Sequence, residues 1–500
     1  QGGARSLGTL INGERGGRCA AGLCVVGGGT RAGNNLFHRL SSFDTRGAIT
    51  GVRFQNQRDQ VVIVGVNSPW GSWIDKTVEF AKPGQLVLLS PGGIHLGAGA
   101  GFQQINQLGL STATRLAMQG GGALDVFSTT ALEAAALAGA PLLKAQGLQV
   151  DADARQAAGI TGVPAIVADG IEVTIDRELL VDAVDGAVQI RDSKLTVQPE
   201  QGLGGSLTLT GQSVELTGAT QLNAQGAKGG GLIQMGGSWQ NSNPTVRQAL
   251  TTTIEPTVTV DASATQSGDG GTIVAWSDVT NPSSRTIAQG SFVATGGPDG
   301  GDGGRIETSG HGLDVAGIRV SSAASNGQTG VWLLDPSNIT ITNQAGISST
   351  GTDPKIFSNS TTSPSTSANV YTEDIVSALE SSNVIVDTSA GSGGSGDIIL
   401  SDPLSYDSSK YLAFIADRDI VLDSDITQSG SGAINLLAGT GQSVDGELRG
   451  SGNISLAGGI LTVSVDKTSV SDYTGSISGS GASLVKSGSG VLALGGSNTY

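Results

Sequence analysis

Three segments decide the fold: Gly205-Ser206-Leu207-Thr208-Leu209, Gly231-Leu232-Ile233-Gln234-Met235 and Gly271-Thr272-Ile273-Val274-Ala275. Each begins at a glycine-rich turn and continues with alternating apolar and polar residues, a pattern typical of a half-buried β-strand. Such units recur about 20 to 40 residues apart, and one unit cannot bury its apolar face unless others stack on it. The sequence therefore predicts an all-β solenoid, in which strands of successive coils pair and share one apolar interior, with short helical excursions.

Length and composition agree with one repetitive body and exclude several classes of protein. The chain has 500 residues, more than one globular core usually supports. Its 79 glycines do not recur at every third position, as collagen would require. The formal net charge is −16 without any lysine or arginine cluster, so no nucleic-acid partner is expected. No apolar run reaches the roughly 18 residues of a membrane-spanning helix, so no transmembrane segment is expected either.

Short apolar runs and turns extend the pattern into the N-terminal part of the chain. Residues 61–66 and 85–89 are expected strands, and each run is followed by a turn, at 67–71 and 90–93. In such turns proline fixes one φ angle and glycine supplies a positive φ. Short helical pieces are expected at 129–137, 141–145 and 373–382.

The two cysteines, Cys19 and Cys24, lie five residues apart. A disulfide across this small loop, formed in an oxidising compartment, is the preferred interpretation, and two free thiols are the alternative. The three histidines, His38, His95 and His311, lack the spacing of metal ligands. No metal site and no cofactor are therefore expected.

The sequence contains no convincing catalytic set. Gly-Ser runs lack the strand-turn-helix context of a nucleophile elbow. Four carboxylates could line the groove of a polysaccharide-degrading β-helix enzyme, although solvated turn residues are the preferred interpretation. They are Asp151, Asp153, Asp185 and Asp192.

Three bulky side chains near the N-terminus invite a structural interpretation. His38 is expected to be a structural residue near the helix cap rather than a base. Trp70 and Trp73 are expected to pack over the open end of the β-helix, and an exposed contact patch is the alternative.

Residues 34–43 resemble the opening of the two-partner secretion domain, which begins filamentous haemagglutinins, haemolysins and related exoproteins. The residues that carry the resemblance are Asn35, Leu36, Phe37, His38 and Phe43. Phe54 and Asn56 are similar to the aromatic-Asn strand end that follows in this family. Residues 89–97 resemble the family motif Ile-Asn-Pro-Asn-Gly-Ile-x-Phe-Gly, with Ser90 and Gly92 in place of the two asparagines.

Two later segments extend the resemblance. Residues 330–341 are similar to a sequence motif of large secreted haemagglutinin-like proteins, and residues 473–500 resemble the autotransporter-associated β-strand repeat. The resemblance implies a two-partner secretion domain at 1–245, continuing β-helix coils at 246–342, a haemagglutinin-like β segment with a short helix at 343–470, and a partial repeat at 471–500.

The resemblance implies that the solenoid is a right-handed parallel β-helix with an N-terminal cap, and it also implies a function. It implies a secreted, cell-surface exoprotein of a Gram-negative-type bacterium, a filamentous haemagglutinin-like adhesin scaffold and not an enzyme. Its expected partners are an outer-membrane β-barrel transporter with periplasmic docking domains, which it meets in transit through the periplasm, and a host or neighbouring cell-surface receptor. Alternatives are a carrier of a C-terminal contact-dependent toxin or haemolysin, or a polysaccharide-degrading β-helix enzyme. The residues implied in transporter recognition are Asn67, Pro69, Ser90, Pro91, Gly92, Gly93 and Ile94.

Overall fold

The computed structural model of the protein describes residues 7–128, 134–199, 202–343, 368–389, 394–441, 445–466 and 470–500. In this structure, 48% of the residues are in strands and 4% are in helices. The chain forms two compact units. The N-terminal unit comprises Gln1–Trp276, Val293–Gly304 and Ala324–Gly327, and the C-terminal unit comprises Ser277–Phe292, Arg305–Ala323 and Gln328–Tyr500.

The N-terminal unit is a stack of coils whose strands pair in parallel from one coil to the next. Its first face consists of Gly22–Gly28, Asn35–Leu40, Ile49–Phe54, Val61–Val66, Thr77–Leu89, Gly101–Ser111, Glu178–Asp182, Ser206–Thr210, Leu232–Met235 and Thr272–Trp276. Its second face consists of Phe43–Asp44, Ser72–Ile74, Ile94–Leu96, Ile166–Asp169, Ala187–Arg191, Ser213–Thr217 and Thr251–Ile254. Its third face consists of Glu172–Ile175, Lys194–Val197, Gln221–Asn223 and Thr259–Asp261.

An aliphatic ladder fills the interior of this unit. On the first face, strand register aligns one inward side chain per coil. These side chains are Val62, Leu86, Leu108, Leu179, Leu207, Ile233 and Ile273, each no more than 2% exposed. Burial of each such side chain is worth about 1.5–3 kcal/mol, so the ladder supplies the cohesion that one coil lacks. The parallel β-helix predicted from the repeats is confirmed.

Antiparallel strands form the N-terminal cap of this unit. Thr9–Ile11 pairs with Glu14–Arg15 and with Gly22–Gly28, and Thr30–Ala32 pairs with Asn35–Leu40. The Asn12-Gly13 turn between the first two strands places both residues at positive φ, which Asn and Gly tolerate best. The predicted cap is therefore present, built from hairpins rather than from coils.

The excursion expected to contain helices is mainly a small antiparallel sheet. Its strands are Arg115–Ala117, Ala123–Asp125 and Leu148–Gln149. Of the piece expected at 129–137, Ala134–Leu137 is a 3-10 helix and 129–133 lie outside the described residues. The helix expected at 141–145 is wrong: Pro141 bridges Met118, and Leu142 N–H donates to Ala117 O at 2.9 Å. Pairing with a neighbouring segment overrides the local helix propensity of these residues.

The C-terminal unit is also a stack of parallel coils. Its first face consists of Arg305–Gly310, Val331–Pro336, Asn383–Asp387, Leu412–Ala416, Ile434–Ala438, Gly459–Val465 and Ala482–Ser487. Its second face consists of Arg285–Ala288, Gly312–Asp314, Ile339–Thr342, Ala368–Tyr371, Ile398–Leu400, Ile420–Leu422, Leu448–Gly450, Val470–Tyr473 and Val491–Leu494. Its third face consists of Leu404–Tyr406, Ile426–Gln428, Ile454–Leu456 and Ile477–Ser478. Two further strands are Arg319–Ser321, in this unit, and Ser291–Val293, whose last residue belongs to the N-terminal unit.

The C-terminal unit has its own ladder and one helix at its side. Val384, Leu412, Ile434 and Leu461 align in consecutive strands and are at most 1% exposed. The helix expected at 373–382 is confirmed as Thr372–Ala378. Short helices elsewhere are Ala152–Ala157 and the 3-10 turn Trp239–Asn241, neither of which was predicted.

Candidate functional site

The residues of the secretion-domain resemblance lie in and just after the first coil, beneath the cap. Asn35 is 2% exposed, and its amide Nδ2 donates to Leu137 O at 2.8 Å and to Gly139 O at 2.7 Å. Phe37 is fully buried with Leu137 in a hydrophobic cluster, and Leu36 is buried in the coil interior. Asn35 therefore fastens the excursion to the first coil, which explains why an amide side chain is needed there.

His38 lies inside an aromatic cluster rather than at the surface. Its ring centroid is 5.7 Å from that of Phe54, and Phe54 is 6.4 Å from Phe43 and 6.0 Å from Phe80. The imidazole Nδ1 lies 3.1 Å from the Thr9 hydroxyl oxygen. Burial lowers the pKa of His38 to about 4, so the ring is neutral at pH 7. The side chain has the structural role expected from the sequence.

Asn56 holds the turn that follows this cluster. Its Nδ2 donates to Lys82 O at 2.8 Å and to Gln57 O at 2.9 Å, while Oδ1 accepts from Lys82 N–H at 3.3 Å. One amide thus links two successive coils, which an aspartate could not do because it has no donor at neutral pH.

The two proline turns lie one above the other at the corner between the first and second faces. Ser72 N–H donates to Gly93 O at 2.9 Å, and Ser72 Oγ donates to Ser90 Oγ at 2.9 Å. Ser90 Oγ in turn donates to Gly93 O at 2.8 Å. A Cβ on Gly71 would lie 2.5 Å from Gly93 O, and one on Gly92 would lie 2.5 Å from Ser68 O. The corner therefore requires glycine in both turns, and Ser90 supplies the side-chain bonds that an asparagine would otherwise make.

Only part of the predicted recognition set is accessible in the folded protein. Asn67 is half-buried, Gly92 is half-buried and Pro69 is exposed, whereas the other members are buried; these are Ser90, Pro91, Gly93 and Ile94. Trp70 is 83% exposed on the same turn. The expectation that Trp70 packs over the open end of the β-helix is wrong, since the turn directs this side chain into solvent. Trp70 is exposed, as the alternative of a contact patch requires, and a contact role for it stays a prediction.

Trp73 belongs to a different feature, a stack on the outer side of the second face. Strand register places Trp73 beside His95, and their rings lie 4.0 Å apart at an interplanar angle of 6°. The Arg46 guanidinium carbon lies 4.1 Å from the centre of the Trp73 ring, on which it makes a cation–π contact. Arg46 also pairs with Asp44 at 2.6 Å. The sequence offered no signal for this stack, because it depends on the register between coils of unequal length.

Cys19 and Cys24 form a disulfide bond, with their Cα atoms 5.7 Å apart. The bond closes a loop beside the cap strands, since Cys24 belongs to Gly22–Gly28. A loop this short constrains only its own residues.

Three of the four carboxylates weighed as a catalytic groove, Asp151, Asp185 and Asp192, have separate structural partners. Asp151 caps the helix Ala152–Ala157 by accepting from Ala154 N–H at 3.0 Å. Asp185 binds Arg155 at 2.8 Å, and Asp192 accepts from Ala219 N–H at 2.9 Å. Among the described residues, no group of three or more His, Cys, Asp or Glu side chains is placed to hold a metal ion.

In the C-terminal unit, the motif at 330–341 forms the strands Val331–Pro336 and Ile339–Thr342, and it contains the buried carboxyl group of Asp335. Trp332 Nε1–H donates to Thr308 Oγ1 at 3.1 Å, and Ser337 Oγ lies 2.9 Å from His311 Nδ1. Both carboxyl oxygens of Asp335 are buried and have no hydrogen-bond partner among the described residues. Burial raises the pKa of Asp335 well above its ordinary value, and the nearby acids Asp387 and Glu307 raise it further.

The comparisons with known proteins are sparse. No protein-family model matches the sequence, and no curated protein matches it. Among solved structures, the secretion domain of HMW1 from Haemophilus influenzae is similar at 15% identity and a TM-score of 0.29, over 65% of this chain and 97% of that domain. An identity and a TM-score this low establish neither a family nor a function for this chain. Within the described residues, no helix combines the length and apolar character needed to cross a bilayer.

Proposed function

We propose that this chain is a secreted bacterial surface exoprotein, a haemagglutinin-like adhesin scaffold whose N-terminal part directs export through an outer-membrane β-barrel transporter with periplasmic docking domains. One observation carries the proposal. The residues that resemble the opening of a two-partner secretion domain lie together at the start of the β-helix, where Asn35, Phe37 and His38 fasten the first coil.

The architecture suits passage through a narrow transporter. Each coil presents unpaired strand edges on which the next coil pairs, so folding can proceed coil by coil as the chain emerges. Inward ladder residues become buried only as the next coil is added, and this burial favours continued export. The Cys19–Cys24 bond spans five residues, so it closes no large loop that would obstruct threading.

Burial divides the recognition residues into two groups. Ser90, Pro91, Gly93 and Ile94 could contact a transporter only before the corner folds, because the folded protein covers them. Pro69 and Trp70 are accessible in both states. We infer that the periplasmic docking domains bind residues 67–94 as an unfolded segment, and that the folded corner is formed after export.

Co-expression with and without a two-partner secretion transporter tests the proposal. The expected result is that the chain reaches the medium or cell surface only with the transporter, and that Asn67→Ala with Pro69→Ala lowers export severalfold. Leu203→Ala is the matched control, since Leu203 is 65% exposed in the same unit but far from this corner in sequence. Equal export without the transporter would contradict the proposal.

The proposal also includes the segment boundaries after residues 245, 342 and 470, and a role in binding a cell-surface receptor. A carrier of a C-terminal toxin or haemolysin would use the same export route and differ only in what it presents at the cell surface. Cell-binding and killing assays with surface-exposed protein separate the adhesin from the carrier.

A further inference from the structure

A groove of about 800 Å³ lies beside the N-terminal cap and is independent of the recognition corner. Its floor is apolar and includes Val26, Phe43 and Val52, which belong to the first strands of the β-helix. One wall is the loop from Arg15 to Ala20, and the other is the segment 40–44. This size and lining are those of a binding groove rather than of a packing defect.

The groove lies along a strand that is paired on one side only. Phe43–Asp44 is the terminal strand of the second face and pairs with Ser72–Ile74. Thr45 N–H donates to Trp73 O at 2.9 Å, so backbone groups of alternate residues point toward that partner strand. The N–H and C=O of Asp44 accordingly point the other way. Among the described residues no strand pairs with this edge, which leaves it open to an added strand.

The rim of the groove is positively charged, in contrast to the rest of the chain. Arg15 and Arg18 are exposed at the rim and form no ion pair within the described part of the chain. Asp44 is the one acidic group of the lining, and its charge is offset by Arg46 at 2.6 Å. In a chain of net charge −16, two unpaired arginines over an apolar floor select for an acidic ligand.

We propose that this groove binds an extended peptide segment of alternating apolar and acidic residues, which adds a β-strand to the edge at Phe43–Asp44. The peptide backbone would pair with the N–H and C=O of Asp44, its apolar side chains would contact Val26 and Val52, and its carboxylates would pair with Arg15 and Arg18. This is strand addition, in which backbone bonds give affinity and alternate side chains give specificity.

The disulfide contributes by holding the rim in place. Cys19 and Cys24 both line the groove, and their bond ties Cys19, the residue next to Arg18, to the strand Gly22–Gly28. A rim that is ordered before binding loses less conformational entropy when the ligand is bound. Reduction of the bond should therefore weaken peptide binding without unfolding the coils.

Fluorescence anisotropy with the full chain and three labelled peptides tests the proposal. The first peptide is acetyl-Glu-Val-Glu-Ile-Glu-Val-Glu-amide, the second has lysine in place of every glutamate, and the third is the first with alternate backbone nitrogens methylated. We expect saturable binding of the first peptide, and at least tenfold weaker binding of the other two. Arg15→Glu with Arg18→Glu should also weaken binding of the first peptide at least tenfold.

Arg58→Glu is the matched control, because Arg58 is exposed in the same unit and does not line the groove. It should leave binding unchanged, and circular dichroism should show that each variant is folded. The proposal is overturned if the first peptide does not bind, if the Arg15 and Arg18 double variant binds it equally well, or if methylation has no effect. None of these outcomes depends on the export assay, so the two proposals stand or fall separately.

Discussion

The N-terminal and C-terminal units contain the same kind of aliphatic ladder, but burial shifts the pKa of a histidine most strongly in the first and the pKa values of two aspartates strongly in the second. In the N-terminal unit the buried base His38 has its pKa lowered to about 4. In the C-terminal unit burial raises the pKa of Asp374 to about 7, and it raises the pKa of Asp335 well above its ordinary value. In both cases burial shifts the pKa in the direction that favours the neutral form, because the interior disfavours charge of either sign.

The difference shows two separate roles. The aliphatic ladder stabilises the stacked coils in both units, whereas the buried titratable groups make the free energy of unfolding depend on pH. For His38 the folded pKa lies below the unfolded value of 6.5, so its contribution to stability is present above about pH 6.5 and is lost as pH falls toward 4. For Asp374 the folded pKa of about 7 lies above the ordinary value of 3.8, so stability is highest below pH 3.8 and falls as pH rises toward 7. Through these two groups, the two units should respond to acid in opposite directions.

The largest expected effect comes from the feature that the two units share. Leu207→Ala in the N-terminal unit and Leu412→Ala in the C-terminal unit each remove a fully buried ladder side chain. Each should lower the free energy of unfolding of its own unit by about 2–5 kcal/mol. Pulsed hydrogen exchange at increasing urea concentrations, followed by mass spectrometry of peptides from each unit, measures the unfolding of the two units separately. Glu215→Ala, an outward-facing control, should stay within about 0.5 kcal/mol, and an equal effect at Glu215 would refute the ladder.

The acid response of the N-terminal unit should be the next largest. Lowering the pH from 7 to 4 should reduce its free energy of unfolding by about 3 kcal/mol through His38, since one pKa unit corresponds to about 1.4 kcal/mol. The measurement is urea unfolding followed by tryptophan fluorescence in a Trp332→Phe background. The four remaining tryptophans, at 70, 73, 239 and 276, all belong to this unit. His38→Asn should flatten the dependence, and an unchanged pH profile would show that other groups cause it.

A matched pair of glycines compares the turns of the two units. Gly71 and Gly317 both have a φ of +74°, but a Cβ on Gly71 would meet Gly93 O at 2.5 Å whereas one on Gly317 would meet nothing within 4 Å. Gly317→Ala should cost about 1 kcal/mol through backbone strain alone, and Gly71→Ala about 2–3 kcal/mol because a clash is added. Thermal unfolding measures both. Equal shifts in Tm would contradict the close approach of Gly71 to Gly93 O.

The smallest effect is expected at Asp374. Asp374→Asn should raise the free energy of unfolding of the C-terminal unit by about 1–2 kcal/mol at pH 8, because it removes a buried charge. It should have little effect at pH 4, where the carboxyl group is already neutral. Gly317 N–H donates to this carboxyl at 3.1 Å, and the asparagine oxygen can keep that bond. Hydrogen exchange of the C-terminal unit at the two pH values tests the difference. A gain of equal size at both values would point to packing instead of charge.

Much of the fold could be predicted from local sequence. The strand Val61–Val66 coincides with its β-branched run because Asn67 and Pro69 end it at once. The alternation in Ser206–Thr210 and in Leu232–Met235 likewise locates the ladder. The small antiparallel sheet was not predicted, because an alanine-rich sequence favours helix locally. The strands of this sheet are stabilised by partners that are distant in sequence.

The candidate site was harder to predict than the fold. The sequence indicated the two proline turns, but not that Ser90 is buried between them while Trp70 points outward. Contacts such as Trp73 with His95, and the groove beside Phe43, depend on which residues of successive coils are neighbours. Coil length varies with each loop, so the register cannot be counted from the sequence. A helix cap such as Asp151 does carry a local signal, because an acidic residue precedes an alanine-rich turn.

Cross-linking of register neighbours tests the stacked coils most directly. Gln189 and Glu215 are outward residues in consecutive strands of the second face, and Thr253 is the partner of Glu215 one coil further on. Neighbouring parallel strands lie about 4.8 Å apart, within the reach of a disulfide, whereas two coils span about 9.6 Å. Gln189→Cys with Glu215→Cys should therefore form a disulfide readily on mild oxidation, and Gln189→Cys with Thr253→Cys should not. Efficient cross-linking of the second pair, or failure of the first, would contradict the parallel β-helix.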